Sequence, residues 1–306
     1  MDIYENSYSS VKYIDFKPPL RYNIYIIYFK GTIMSVKISL AGDLGSGKST
    51  VADLLIERLG AEYYSTGAIV RSIAARHGMS VVELNVYMET HPEIDNEIDD
   101  GLKALGEVDK CMVIDSRMAW HFTPGTFRVY LSTDVETSAL RIMGANRAGE
   151  HSSTLEATIA DTKARRESEK KRYKTQYGVD IKDLTNYSLI VDTTYATPEE
   201  IAQRILLSLE FWKNDSTYNE LFISPERLNY PDDEADSELV AHYSSLIEAG
   251  EKVPDVTVFE CDGEFYLDSN VEVALAYAFS ISTFIPAKLV KAAVCDKKFV
   301  KMKNSI

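Results

Sequence analysis

The sequence predicts an α/β fold, a parallel sheet with helices on both faces, followed by a small α+β domain. Three observations carry this. Between residues 34 and about 210, short apolar runs of strand character alternate with longer runs of helical periodicity, the order that βα units produce. A glycine-rich stretch, Gly42-Asp43-Leu44-Gly45-Ser46-Gly47-Lys48-Ser49, stands between the first such strand and the first such helix. Beyond about residue 220 the chain becomes more acidic and its apolar runs shorten to β-type segments.

In chain order, residues 1–33 are Tyr-rich and broken by Lys17-Pro18-Pro19. The apolar run 24–29 is too short to span a bilayer and lacks a signal-peptide cleavage pattern. These residues are expected to be a loosely attached arm, or to precede a natural start at Met34. Residues 36–41 read as a buried strand and 49–59 as a helix, with Val51, Ala52, Leu54, Leu55 and Leu59 on one face and Gly60 as its stop. A short strand at 62–64 leads to Ser65-Thr66-Gly67, which opens a helix containing Arg71. Ser80 and Glu83 form a capping box for the next helix, and Pro92 starts a third with Ile94 and Ile98 on one side. Strands follow at 110–114, running into Asp115-Ser116-Arg117, and at 127–131. Residues 134–146 and the highly charged 158–176 are helical, 188–191 is the last strand and 198–209 the closing helix. The polar stretch 211–220 reads as a linker, which gives an α/β domain at 34–210 and an α+β domain at 221–306.

The chain has 306 residues and a net charge of −14, which disfavours non-specific binding to nucleic acid or to anionic membranes. No apolar run has membrane-spanning length. Three dispersed cysteines without a C-x-x-C pair fit a reduced, cytoplasmic setting.

Against that acidic background, four clusters carry chemistry. Residues 42–49 match G-x-x-x-x-G-K-[ST] at every fixed position, in a strand–loop–helix context. Backbone N–H groups of Gly42 through Thr50 and a helix N-terminus form an anion site there. Lys48 is expected to reach the β- and γ-phosphates of ATP, and Ser49 to ligate Mg²⁺. Ser65-Thr66-Gly67 with Arg71 suits a second phosphate group, and equally a capped helix with a surface arginine. Asp115-Ser116-Arg117 lies at the carboxyl end of a strand, where open α/β sheets bind ligands; a charged turn with a local ion pair is the alternative. Arg165, Glu169 and Arg172 share one helix face, a stripe expected to be free for a transferred phosphoryl group. Pairs such as Lys163–Glu167 would occupy the other side.

In this order, phosphate loop, Ser-Thr-Gly-x-x-x-Arg, Asp-x-Arg and Arg-x-x-x-Glu-x-x-Arg, the chain resembles the cytidylate (CMP) kinases, most closely their short archaeal-type branch. Residues 166–173, Tyr177-Gly178-Val179-Asp180-Ile181, Asn186-Tyr187, Val191-Asp192-Thr193-Thr194, Gly78-Met79-Ser80 and Pro92-Glu93-Ile94-Asp95 carry the similarity, which covers about 34–210. The turn that reads Asp-Gly-Arg or Gly-Arg in the family is Asp115-Ser116-Arg117 here. The resemblance implies a nucleoside monophosphate kinase fold with a mobile acceptor region and a lid. It implies that Thr66, Gly67, Arg71, Asp115 and Arg117 hold the acceptor, that Glu169 and Arg172 contact its nucleotide, and that Arg141, Arg147 and Arg165 belong to the lid side. Lys48, Arg117, Arg165 and Arg172 are then the expected catalytic groups, with CMP or dCMP as acceptor.

The tail, through residues 223–228, 247–254, 256–259 and 262–268, is similar to ParB/sulfiredoxin-like domains. Their Gly-x-x-Arg turn reads Ser269-Asn270-Val271-Glu272 here, which implies a binding or structural module for a protein partner or self-association. Two other functions share these residues: a kinase of a different small acceptor, and a nucleotide sensor that uses the tail to engage a partner.

Overall fold

The computed structural model describes residues 35–145, 154–231, 235–280, 282–291 and 299–301, with three short strands upstream. Those strands, β1 (Ile3–Tyr4), β2 (Lys12–Ile14) and β3 (Ile26–Tyr28), form a small antiparallel sheet. The rest of the expected arm at 1–33 lies outside the described residues.

The α/β half begins with β4 (Lys37–Gly42) and α1 (Lys48–Leu59), whose C-cap is Gly60 as the sequence predicts. It continues through β5 (Glu62–Ser65), α2 (Thr66–Arg76), α3 (Val81–Met88), α4 (Pro92–Gly106), β6 (Met112–Asp115), α5 (Ala119–Phe122) and β7 (Phe127–Ser132). After these come α6 (Val135–Gly144), α7 (Leu155–Tyr177), β8 (Leu189–Asp192) and α8 (Pro198–Asn214). Both halves of the capping box at Ser80 and Glu83 are formed, and Thr197 with Glu200 makes another at the start of α8.

Strands β5, β6, β4, β7 and β8 lie side by side in that order, all parallel. The chain leaves β4 for the far edge at β5, returns to β6, then crosses to β7. The carboxyl end of β4 is therefore the point where the winding reverses, the place where such sheets bind ligands. Alternation along the strands divides the core. Ile38, Leu40, Val129, Leu131, Leu189 and Val191 pack under α1 and α8 on one face; Ala41, Tyr130 and Ile190 face the other way.

The C-terminal half comprises β9 (Glu220–Ile223), β10 (Leu228–Pro231), α9 (Ser237–Glu248), β11 (Val256–Cys261), β12 (Glu264–Ser269), α10 (Val271–Phe279), β13 (Ile285–Leu289) and β14 (Phe299–Lys301). It is α+β, but it continues the same sheet: β9 pairs parallel with β8, and among the described residues eleven strands form one sheet from β14 to β5. The stretch 211–220 corrects the linker expected there. Helix α8 runs through Asn214 because Trp212 packs on Phe127, with ring centroids 5.4 Å apart, and Glu220 already belongs to β9. Strand β9, parallel to β8 and antiparallel to β13, carries apolar side chains on both faces, as a strand covered on both sides must. Phe222 joins the core under α1 and α8, while Leu221 and Ile223 join the opposite core.

Candidate active site

The phosphate loop is fitted against its neighbours by close backbone approach. Gly42 has φ 150°, and a Cβ there would lie 2.4 Å from the Leu131 carbonyl oxygen of β7. Gly45 has φ 72°, and its Cβ would lie 2.5 Å from the Ser138 carbonyl oxygen of α6. Ser138 Oγ also donates to the Leu44 carbonyl, and Asp43 N–H donates to the Leu131 carbonyl at 2.9 Å. Gly47, in the left-handed region, is the N-cap of α1 and has no side chain to satisfy the first N–H groups, which are left for an anion. Lys48 Nζ bridges the loop, donating to the carbonyls of Asp43 at 2.7 Å and Gly42 at 3.2 Å. Ser49 and Thr50 are exposed in the first turn of α1.

Two adjoining clefts lie here, and the first opens from this loop. The first, about 590 Å³, is lined by residues 44–49, by Ser65, Thr66, Gly67 and Arg71 at the start of α2, by Asp115 and Arg117 beyond β6, and by Arg165 of α7. The second, about 510 Å³, shares Thr66, Gly67, Arg117 and Arg165 with it, then runs between α3, α4 and α7, where Asn85, Asp95, Asp99, Glu169, Arg172 and Tyr173 line it. Ser65 Oγ accepts from Ala68 N–H at 3.3 Å, and Thr66 Oγ1 donates to the Asp115 carbonyl at 3.3 Å. Tyr63 OH donates to Asp115 Oδ2 at 3.1 Å, on the wall that also carries Ser49. The two clefts thus meet at Thr66, Gly67, Arg117 and Arg165, a passage wall with a phosphate-loop end and a helical end.

Helix α7 sets the charge of that passage. Its buried stripe is polar, Thr158, Thr162, Glu169 and Arg172, and the last two face the helical cleft rather than an apolar core. The stripe is ion-paired, which corrects the expectation that it stands free. Glu169 Oε2 meets Arg117 Nε at 2.5 Å and its Oε1 meets Arg165 Nε at 3.1 Å, while Arg172 Nε lies 3.4 Å from Asp95 Oδ2. Arg172 Nη1 donates to Asn85 Oδ1 at 3.0 Å. The reason is burial: a guanidinium or carboxylate withdrawn from water needs a partner. Lys171, on the other side, pairs with Glu89 of α3 at 3.2 Å.

The titration of these groups follows. Burial alone would raise the Glu169 carboxyl, but Arg117, Arg165 and Arg172 outweigh it and hold it below the ordinary value. Burial lowers Lys48 to about 8, with Arg117 adding to the effect and Asp115 opposing it. Burial raises Asp95 to about 6 against the pull of Arg172.

Sequence reasoning placed Asp43 in the loop but could not see where its side chain goes. It turns behind the loop, where Arg166 Nη2 meets it at 3.1 Å, Lys182 Nζ pairs closely with it, and Tyr130 OH and Thr133 N–H donate to it at 3.0 and 3.1 Å. Burial would raise this carboxyl, but Lys182 and Arg166 win and hold it at about 2. Asp43 therefore ties the phosphate loop to the helix that carries Arg165. Arg172 lines the helical cleft and not the phosphate cleft. Arg141 lies on the far side of the loop, donating to the Thr193 carbonyl at 2.7 Å and Thr193 Oγ1 at 3.2 Å. Arg147 lies outside the described residues. Arg166 belongs to the charged run of α7, but no local motif marks Asn85, Asp95 or Lys182 as site residues. They come from segments far apart in sequence, and only the signal of charged residues on otherwise core-facing helix positions, as at Asp95 beside Ile94 and Ile98, pointed to one of them.

A parallel sheet with its phosphate loop at the winding reversal, beside a cleft lined by Thr66, Arg71, Arg117 and Arg165, is an α/β fold of the phosphate-loop, nucleotide-binding kinase class. The chain belongs to the cytidylate kinase-like family, whose family model matches residues 37–195. It is 35% identical over 179 residues to a cytidylate kinase of Archaeoglobus fulgidus, covering 58% of this chain and 97% of that one. It is 34% identical over 171 residues to a cytidylate kinase of Thermoplasma acidophilum, covering 55% and 88%. A third relative, an S-adenosylmethionine-dependent nucleotide dehydratase of Lacinutrix mariniflava, is 35% identical over 174 residues, which are 56% of this chain and 36% of that protein. Among the described residues no helix is long and apolar enough to cross a membrane.

Proposed function

We propose that the chain transfers the γ-phosphoryl group of ATP to a nucleoside monophosphate, CMP or dCMP in first place. The observation that supports this reading best is the meeting of the two clefts at Thr66, Gly67, Arg117 and Arg165. A protein that only senses a nucleotide needs the loop; a second phosphate clamp beside it suits an acceptor. The named kinase relatives support the same acceptor class.

In this reading the loop N–H groups and Lys48 hold the β- and γ-phosphates, and Arg71, Arg117 and Thr66 hold the acceptor phosphate. Arg165, which lines both clefts, faces the group in transit. The acceptor phosphate is already anionic, so no strong base is needed, and positioning with charge neutralisation carries the rate. Asn85, Asp95, Glu169 and Arg172 receive the acceptor's nucleoside. Magnesium fits the donor set here, since the exposed Ser49 hydroxyl and the Asp115 carboxylate line one cleft, and hard oxygens from one or two side chains plus substrate phosphates are what Mg²⁺ takes. When bound, it neutralises charge on the phosphate oxygens.

Residues 34–214 form the kinase half in this proposal, and 220–306 a non-catalytic, ParB-like half that serves partner binding or self-association in the cytoplasm. The Ser269–Glu272 segment, without glycine or arginine, fits that role: Asn270 there is the N-cap of α10. The test is an ADP-release assay over a panel of nucleoside monophosphates and small hydroxyl acceptors. Fastest turnover with CMP or dCMP supports the proposal. Turnover only with another acceptor refutes the substrate, and turnover with none refutes the kinase.

A further inference from the structure

The C-terminal half reaches the turn after β8 through one buried arginine. Arg227 is 3% exposed. Its Nη2 donates to the Gly263 carbonyl at 2.8 Å, and its guanidinium lies over the Phe265 ring, 5.7 Å from the centroid, so it is anchored within its own half. Its Nη1, however, donates to Thr194 Oγ1 at 3.3 Å and lies 4.0 Å from Asp192 Oδ1. Asp192 is the last residue of β8, and its carboxylate gathers the turn that follows. Oδ1 accepts from Thr194 Oγ1 at 2.7 Å, and Oδ2 accepts from the Ser224 N–H of the C-terminal half at 3.2 Å. From the kinase side, Arg141 of α6 donates to the carbonyls of Thr193 and Thr194, at 2.7 and 3.3 Å. The turn at 193–195 is thus held between two arginines, one from each half, and ends in Tyr195, which is 56% exposed.

The place of this turn gives the pairing its meaning. The acceptor cleft opens from the loop on the β6 side, through Thr66, Arg71 and Arg117. Attacking and leaving oxygens must lie roughly in line across the transferred phosphorus. With the loop read as the ATP site, in-line transfer directs the donor's nucleoside to the opposite side of Lys48, toward the ends of β7 and β8, where Ser138, Arg141 and the 193–195 turn are found.

We propose that Arg227 is a positioning residue for the donor nucleotide: it fixes the 193–195 turn so that the turn and Arg141 present one wall to the donor's base. This rests on the reading of the loop as the ATP site. The C-terminal half is then a part of the donor site that the kinase segment of the chain does not contain by itself.

The experiment is titration calorimetry of Mg-ATP on the full chain and on Arg227→Met and Thr194→Val, the second removing the same contact from the other partner together with the Thr194 Oγ1 bonds to Asp192 and to the Asp134 N–H. KM for CMP, kcat and melting temperature are measured alongside. Each single variant is expected to weaken ATP binding about tenfold, the size of one hydrogen bond to a charged group. The double variant should be no weaker than the worse single, with KM for CMP unchanged in all three. ATP affinity within twofold of wild type, or KM for CMP rising in step with it, overturns the inference even if the melting temperature falls. If Arg227→Met does not fold, Thr194→Val decides alone. A wild-type chain that turns over no monophosphate sinks the kinase reading, while a tenfold shift in ATP affinity still upholds the role of Arg227. A wild-type chain that binds no ATP overturns both.

Discussion

Gly45→Ala puts the fit of the phosphate loop to a numerical test. The added Cβ would lie 2.5 Å from the Ser138 carbonyl oxygen and 2.9 Å from Ser138 Cα, both backbone atoms of α6 that have no side-chain torsion by which to yield. Ordinary contact begins at 3.4 Å, so the loop must retreat by roughly 1 Å, a displacement that costs on the order of 10²-fold in turnover when reacting groups are misaligned by it. An alanine at φ 72° also carries about 1–2 kcal/mol of left-handed strain, and overpacking adds about 1–3 kcal/mol. Together these make about 2–5 kcal/mol, or a melting temperature lower by roughly 4–20 °C. Leu55→Ala, a fully buried deletion in α1 away from the loop, costs a similar ~2–5 kcal/mol and serves as control. The two variants should melt alike, but only Gly45→Ala should lose ATP affinity and turnover. Normal ATP affinity in Gly45→Ala, or equal functional loss in the control, would refute the argument that close approach to α6 sets the loop.

Other outcomes follow from the same geometry. Lys48→Ala should fold and lose at least ~10²-fold in turnover, the scale of one preorganised charge stabiliser; near-normal turnover would mean the loop is not the donor site. The unliganded Lys48 ammonium, lowered to about 8, is charged below that pH and neutral above it, so ATP affinity should fall as pH rises through 8 in a titration series. Arg71→Ala should raise KM for the acceptor and leave ATP affinity nearly unchanged, and equal weakening of both would contradict its place in the acceptor clamp. Phe222→Ala, in the strand that joins the halves, should cost about 3–5 kcal/mol and lower one common melting transition by roughly 6–20 °C. Two separate transitions, or an unmoved kinase half, would show that the halves do not share a core.

What could be read in advance was whatever depends on neighbours in sequence. The phosphate loop, the capping box at Ser80 and Glu83, the glycine stop of α1 and the strand–helix order are fixed by residues within a turn or two of each other. What could not be read was pairing at long range. Nothing local tells Asp43 to turn toward Arg166 and Lys182, or Arg172 to seek Asp95 across the cleft. The stretch 211–220 looked like a linker because its composition is polar. The packing of Trp212 on Phe127 and the pairing of β9 with β8 are decided by surfaces that a linear reading does not bring together. The helical cleft was visible in Arg117, Arg165, Glu169 and Arg172, which share local motifs, and hidden in Asn85, Asp95 and Asp99, which come from other helices.

The shared sheet also has a consequence in time. The outer edge of β8 is unpaired until Glu220–Ile223 has been made, and the core around Ile190 is not closed until Ile285 and Ala287 are in place. At about 5–20 residues per second of synthesis, that apolar face waits roughly 5–20 s after β8 itself leaves the ribosome. An open parallel edge beside an uncovered apolar face is where a nascent chain is captured by a chaperone or by another copy of itself. Slower translation between β9 and β13 should therefore lower the yield of native protein, although no residue of the finished fold is changed.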